Sequence, residues 1–288
     1  MQDFRLALCQ CPSDVATSDE DPRPRNLERL RSWASRAHDS GAQLAAFGEL
    51  YMTGYRSDAD MHRYALLPTD EDKWVGELRS AAREFDLWLL VGAVTAGSGV
   101  PGDLYNSALL VSPEGLQGVY RKTHVATFPI DGDVVANEGC YYSPGYSIDV
   151  FDTPFCRLGV EICYDIHFPE VARVLALKGA EVTITIAAAM KGFEDFWDVL
   201  LPVRAEENRS WHAMASVVGT QKETGFFGGS RVVSPLGQVV QQGPNDLEDL
   251  VVADITAEAL TASRRMSHRF SSRRPELYEV IAAPTPHP

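Results

Sequence analysis

Cys163 stands in Leu158-Gly-Val-Glu-Ile-Cys-Tyr-Asp-Ile-His-Phe-Pro-Glu170, where an apolar run meets the start of a helix. Arg157 to Ile162 reads as a strand, with Leu158, Val160 and Ile162 on one face. Phe168-Pro-Glu170 reads as a helix start, with Pro169 near the first helical position and Glu170 in the first turn. Backbone N–H groups at such a turn can cradle an anion. A sulfur beside an anion cradle is what acyl transfer requires. A buried structural thiol is the commoner fate of an unpaired cysteine, so this segment alone leaves both readings open.

Two further segments bear on the choice. Leu44-Ala-Ala-Phe-Gly-Glu-Leu50 is an apolar strand that ends on the carboxylate of Glu49, and Gly118-Val-Tyr-Arg-Lys-Thr-His124 is a short strand that ends on the cation Lys122. A charged residue at a strand end is usually just solvated. Taken together, however, the three positions supply a base, a cation and a nucleophile.

The chain resembles the nitrilase superfamily of carbon–nitrogen hydrolases. The family pattern has a Glu after the second strand, a Lys in an Arg-Lys-x-His-like segment and a Cys in a Cys-Tyr-Asp-like turn, matched in order by Glu49, Lys122 and Cys163. A second family Glu lies seven residues before the Gly of a Pro-Gly pair, the place of Glu138 in Asn137-Glu-Gly-Cys-Tyr-Tyr-Ser-Pro-Gly145. The resemblance runs from about Phe4 to about Tyr278 and includes Pro202–Arg209 and Phe227–Gly237. It implies a cofactor-free cysteine amidohydrolase with catalytic residues Glu49, Lys122, Cys163 and Glu138. It also implies a four-layer α-β-β-α sandwich, assembled through helix faces into dimers or larger oligomers.

In that chemistry an ordinary thiol, with a pKa of about 8.5, is mostly protonated at neutral pH. Glu49 accepts its proton, which requires partial burial to raise the carboxylate toward the working range. Lys122 and the backbone N–H of Tyr164 face the oxyanion. Tyr55, His124, Phe128, His167 and Met190 are candidate pocket residues, with Phe168 and Trp211 beside them. His124 is a tempting partner for the cysteine, but with Glu49 available it is expected to pack near Lys122 or trim the pocket.

Two departures from the family pattern bear on specificity. No arginine lies between Cys163 and Pro169, where some relatives grip a substrate carboxylate. Gly219-Thr-Gln-Lys222 replaces an Asn-x-x-Gly segment. A small linear amide cleaved to acid and ammonia is the leading expectation. A nitrile, an N-carbamoyl compound, or a non-catalytic ligand-binding role remain alternatives.

The elements that must position these residues alternate between two periods. Phe4–Cys9, Gln43–Phe47, Leu87–Val94 and Asn106–Val111 have strand character, as do Glu181–Ile186 and Ala213–Val218. Leu27, Leu30, Trp33, Ala34 and Ala37 keep helical spacing with Gly41 as a stop, and Trp74, Val75, Leu78, Ala81, Ala82 and Phe85 repeat it. Another helix spans about Phe193–Asn208. Ser112-Pro-Glu-Gly115 and Ser234-Pro-Leu-Gly237 both place Pro and Gly as hairpin turns do, and the echo suggests two similar halves. Strands alternating with helices give an α/β class; the pattern alone does not separate a doubly wound sheet from a two-sheet sandwich.

Composition excludes several functions. At 288 residues and 45% hydrophobic content the chain can bury a large core, and the absence of any Ser/Gly-rich linker favours one domain over 1–288. The segment from about 260 to 288 is expected to pack on the core or on a partner subunit. A net charge of −14 argues against binding nucleic acid or anionic membranes. No stretch approaches the roughly 20 apolar residues that span a bilayer, and no secretory signal opens the chain. Five irregularly spaced cysteines point to free thiols in a reducing, cytoplasmic compartment, without a disulfide framework or a zinc site.

Overall fold

Alternating small and branched apolar residues build two sheets whose inner faces meet. The structure, a computed structural model, describes residues 1–17, 20–55, 59–97, 102–130 and 133–284; of 128–130 and 133–136 it describes the backbone. The strands are β1 (Phe4–Gln10), β2 (Leu44–Phe47), β3 (Trp88–Ala96), β4 (Leu104–Ser112), β5 (Gly115–Arg121), β6 (Thr127–Ile130), β7 (Asp133–Asn137) and β8 (Val150–Asp152). There follow β9 (Arg157–Ile162), β10 (Val182–Ala187), β11 (Trp211–Ser216), β12 (Val218–Gln221), β13 (Thr224–Phe227), β14 (Arg231–Val233), β15 (Val239–Gln242) and β16 (Asp249–Ile255). The helices are α1 (Arg23–Asp39), α2 (Lys73–Phe85), α3 (Pro169–Leu177), α4 (Glu194–Asn208), α5 (Ala257–Arg265) and the short α6 (Glu279–Ala282).

One six-stranded sheet has the order β16-β1-β2-β3-β4-β5 and the other β15-β14-β11-β10-β9-β8. Each holds three adjacent parallel strands, β1-β2-β3 and β9-β10-β11, continued by antiparallel strands. The two Ser-Pro-x-Gly turns close β4–β5 and β14–β15, which occupy equivalent places in the two sheets. The echo in the sequence therefore marks a real likeness between the halves.

Strand alternation sorts the side chains into layers. Leu6, Leu8, Leu44, Ala46 and Leu90 face Leu158, Val160, Ile162, Val182 and Ile184 in the core between the sheets. On the outer face of the first sheet, Ala7, Cys9, Phe47 and Val91 pack against Leu30 and Trp33 of α1 and Leu78 of α2. On the outer face of the second, Ala187 and Met214 pack against Trp197, Leu201 and Ala205 of α4. The result is the expected four-layer α-β-β-α sandwich. Each fully buried aliphatic side chain stabilises it by about 1.5–3 kcal/mol. Asp72 fastens the start of α2, its carboxylate accepting from the N–H groups of Trp74 and Val75 at 2.8 and 3.1 Å.

Trp211 corrects one expectation. Its position in β11 turns the indole into the core between the sheets, where its Nε1–H donates to the Thr256 carbonyl at 3.1 Å. It is not a pocket residue. Among the described residues no helix is long and apolar enough to cross a membrane.

Candidate active site

Glu49 follows β2, Lys122 follows β5 and Cys163 follows β9, so three chain segments deliver their chemistry to one end of the sandwich. The turn carrying Glu49 is seated by a close approach. A Cβ at Gly92 of β3 would collide with the Gly48 carbonyl and the Leu50 N–H, so only glycine lets the β2 exit lie against β3. Glu49 is fully buried. Its Oε1 accepts from Lys122 Nζ and from Asn106 Nδ2, both at 2.7 Å, and its Oε2 from the Ala188 N–H at 3.0 Å.

Lys122 Nζ also donates to Glu138 Oε1 at 2.9 Å. Glu138 is itself fully buried, accepting the Tyr55 hydroxyl at 2.8 Å and the Ala126 N–H at 2.8 Å. The Pro-Gly pair that set its register now has a physical reason. The Gly145 N–H donates to the Lys122 carbonyl at 2.7 Å, and a Cβ there would strike the Arg121 carbonyl. The loop carrying Glu138 is thereby fastened to the strand end carrying Lys122.

Cys163 adopts a left-handed φ of 45°, which costs a non-glycine residue about 1–2 kcal/mol. A 3₁₀ turn over Cys163–His167 separates it from α3, whose first residue is Pro169; the sequence places the helix start correctly but does not reveal this turn. Asp165 inside the turn is the tie. Its Oδ1 accepts from the Thr123 hydroxyl and the His124 N–H at 2.9 Å each, and its Oδ2 from the Tyr120 hydroxyl at 2.8 Å and the Ile162 N–H at 3.1 Å. One buried carboxylate thus binds the nucleophile's turn to the segment that follows Lys122.

The electrostatics follow from this packing. Burial, opposed by Lys122 and reinforced by Glu138, raises the Glu49 carboxyl above its ordinary range. Burial would lower the Lys122 ammonium, but Glu138 and Glu49 outweigh it and hold it well above the usual lysine value. Burial, then the Glu49 charge, pushes the Cys163 thiol well up, with Lys122 and the Ala188 N–H pulling the other way. The resting site is therefore a neutral thiol, a carboxylate that can take its proton, and a fixed cation. The Ala188 N–H, which donates to Glu49 Oε2 at 3.0 Å, also favours the charged form of the Cys163 sulfur.

Cys163 opens into a cavity of about 270 Å³ lined by Tyr55, Tyr164, His167, Met190 and residues of the α4 entrance. His124 lies off its wall, stacked on Phe168 with ring centroids 3.7 Å apart, its Nδ1 3.0 Å from Asp165 Oδ1. Phe128 belongs to β6, and its side chain lies outside the described residues. Sequence reasoning missed Asn106, Tyr120, Asp165, Ala188 and the wall residues Phe193, Phe196 and Trp197. It also left Gln221 without a part. Its Oε1 accepts the Tyr55 N–H at 2.6 Å while its amide holds Ser13, so the departing Gly219–Lys222 segment positions the Tyr55 loop.

Comparisons with known proteins place the chain in a family. The carbon–nitrogen hydrolase family model matches residues 5–265. The chain is 31% identical over 285 residues to omega-amidase NIT2 of Bos taurus, covering 98% of this chain and 99% of the relative. The crystal structure of Saccharomyces cerevisiae Nit3 superposes with a TM-score of 0.83 at 25% identity, covering 95% of this chain and 97% of that one. A variant of the Nesterenkonia sp. AN1 amidase has a TM-score of 0.78 at 25% identity, with 96% of each chain covered. That structure shows the acetamide moiety of fluoroacetamide added covalently at the active-site cysteine. The chain belongs to the carbon–nitrogen hydrolase family of the nitrilase superfamily and is a cysteine-dependent hydrolase of carbon–nitrogen bonds.

Proposed function

We propose that the protein hydrolyses a small linear amide to a carboxylic acid and ammonia through a thioester on Cys163. The observation that carries this reading is the buried Glu49–Lys122–Glu138 cluster beside a partly exposed thiol at the mouth of a cavity. Glu49 takes the thiol proton as sulfur attacks the amide carbon. Lys122 and the Tyr164 N–H stabilise the oxyanion, a type of contact worth about 2.7–4 kcal/mol per donor. Glu49 then returns its proton to the nitrogen, the C–N bond breaks, and ammonia leaves a thioester. A water gives its proton to Glu49 and attacks the thioester carbon; collapse releases the acid and the proton returns to sulfur. Glu138 keeps Lys122 aimed and faces the amide nitrogen. The names of the relatives, omega-amidase and amidase, support an amide over a nitrile.

The exposed apolar residues Phe196, Val199 and Val203 lie on one face of α4, and Leu277, Val280 and Ile281 are exposed near the C-terminus. They support assembly into a homodimer or larger homo-oligomer, which light scattering on the purified protein tests; a monomer at micromolar concentration refutes it. Five unpaired thiols support a cytoplasmic location. The catalytic reading is tested by intact-mass spectrometry during turnover of a simple amide. A thioester adduct on the wild type, absent in Cys163→Ala with its fold intact by circular dichroism, is expected. Full activity of Cys163→Ala rejects the mechanism.

A further inference from the structure

Among the described residues, the wall of the cavity beyond the sulfur carries no charged side chain. Ala126, Ala188 and Ala189 contribute small surfaces, and Met190, Phe193 and Trp197 supply the bulk of the apolar lining, with Tyr164 and Phe196 beside them. Among the described lining residues the polar side chains other than the thiol are Tyr55, whose hydroxyl donates to Glu138, Tyr164, His167 and the indole of Trp197. Among the described residues the nearby cations pair elsewhere. Lys122 is clamped between two carboxylates at the reacting end. Lys191, next to Met190, pairs with Asp246 at 2.6 Å. Arg204 donates to the Ile166 carbonyl at 3.0 Å and to Glu207 at 3.1 Å. Arg231 pairs with Asp198. The helix that contributes Phe196 and Trp197 to the wall opens with Glu194 and Asp195, directly after Phe193, and the Glu194 carboxylate accepts from the Gly192 N–H at 2.8 Å.

From this arrangement we infer that the acyl subsite accepts an uncharged aryl- or alkyl-bearing acyl group and rejects amides whose acyl chain ends in a carboxylate. An apolar chain gains from burial against Met190, Phe193 and Trp197. A carboxylate in the same place gives up its hydration with no cation among the described lining residues to replace it. His167 does not fill that gap at neutral pH: partial burial and then Arg204 hold its imidazole below the ordinary histidine value, so it is neutral there. The inference rests on the amide-hydrolase reading above and adds the class of acyl group.

The test is a series of kcat/KM values for ammonia release at neutral pH. Propanamide, butanamide, hexanamide and 3-phenylpropanamide are compared with succinamate and glutaramate, the monoamides of dicarboxylic acids. Each added methylene should raise kcat/KM by about fourfold, the equivalent of about 0.8 kcal/mol. We expect 3-phenylpropanamide to exceed either carboxylate-bearing amide by at least about 100-fold. Equal or better turnover of succinamate or glutaramate overturns the inference while leaving amide hydrolysis standing. Failure to hydrolyse any of the six, with no acyl adduct on Cys163, removes the amide-hydrolase reading itself. His167→Arg and Phe193→Arg each bring a cation to the wall. Each should raise the ratio of carboxylate-bearing to neutral substrate by at least about 10-fold, and because the ratio is taken within one variant it is insensitive to the fraction folded. An unchanged ratio in both variants also overturns the inference.

Discussion

Replacing Asp165 by Asn removes one charge and no volume, and the structure gives the cost. Besides the His124 ring Nδ1 3.0 Å from Oδ1, the carboxylate accepts two bonds on each oxygen, one of each pair from a backbone N–H: His124 on Oδ1 and Ile162 on Oδ2. Asparagine must present an NH₂ to one side. The Tyr120 or Thr123 hydroxyl can turn round and accept from it, but a backbone N–H cannot. Either orientation therefore strands one buried N–H, at about 1–3 kcal/mol. The remaining bonds also fall from charge-assisted to neutral strength, about 1 kcal/mol each. The sum is a loss of about 4–6 kcal/mol, readable as a lower urea midpoint at unchanged slope. Because the broken tie joins the Cys163 turn to the segment after Lys122, kcat should fall by about 100-fold in protein that is still folded, the scale of a 1 Å misplacement. A variant within about 0.5 kcal/mol of wild type and with full kcat would refute the assignment of Asp165 as the element that sets sulfur against ammonium.

Other consequences are open to direct measurement. Since the Glu49 carboxyl is raised, activity should be lost as pH falls through a value above the usual carboxylate range of about 4.3, visible as the acid limb of kcat/KM. Glu138→Gln deletes a negative neighbour that raises Glu49, so that limb should move to lower pH; an upward move contradicts the assignment. Glu49→Gln leaves the thiol without a proton acceptor, and its alkylation by iodoacetamide at pH 7 should slow by about 10²–10⁴-fold, with an unchanged rate counting against Glu49 as base. Gly92→Ala forces a methyl against Gly48 and Leu50, and should cost about 1–3 kcal/mol in urea unfolding together with most of the activity; a stable, active variant argues that the β2 exit is not seated this way.

Local order was the legible part of this fold. Strand alternation placed Leu158, Val160 and Ile162 on one face, and the structure puts all three between the sheets. Pro169 announced the start of α3, and the paired Ser-Pro-x-Gly turns marked the equivalent hairpins of the two halves. What stayed hidden depended on distance. Alternation reports that a side chain is buried but not on which of two buried faces, which is why Trp211 looked available to the pocket. The burial of Glu138 depends on a backbone bond between Gly145 and Lys122, and the part played by Asp165 depends on the Tyr120–His124 segment, far from it along the chain. Phe193 and Trp197 reach the cavity because α4 begins just past the exit of β10. Helical spacing marks the face of a helix, not the end of it that meets a thiol.

The pairing of β16 along the whole of β1, from Phe4 with Ile255 to Gln10 with Asp249, has a consequence for the newborn chain. β1 waits for β16, the last of the described strands, before its outer edge is covered. Base and cation are synthesised well ahead of the sulfur, and the two sheets close only after some 250 residues have emerged. Such long-range closure is slow, and the site at the end of the sandwich is complete only once it has happened. A chain truncated after Pro244 should accordingly emerge insoluble or inert; a soluble and active fragment would show that closure is not needed.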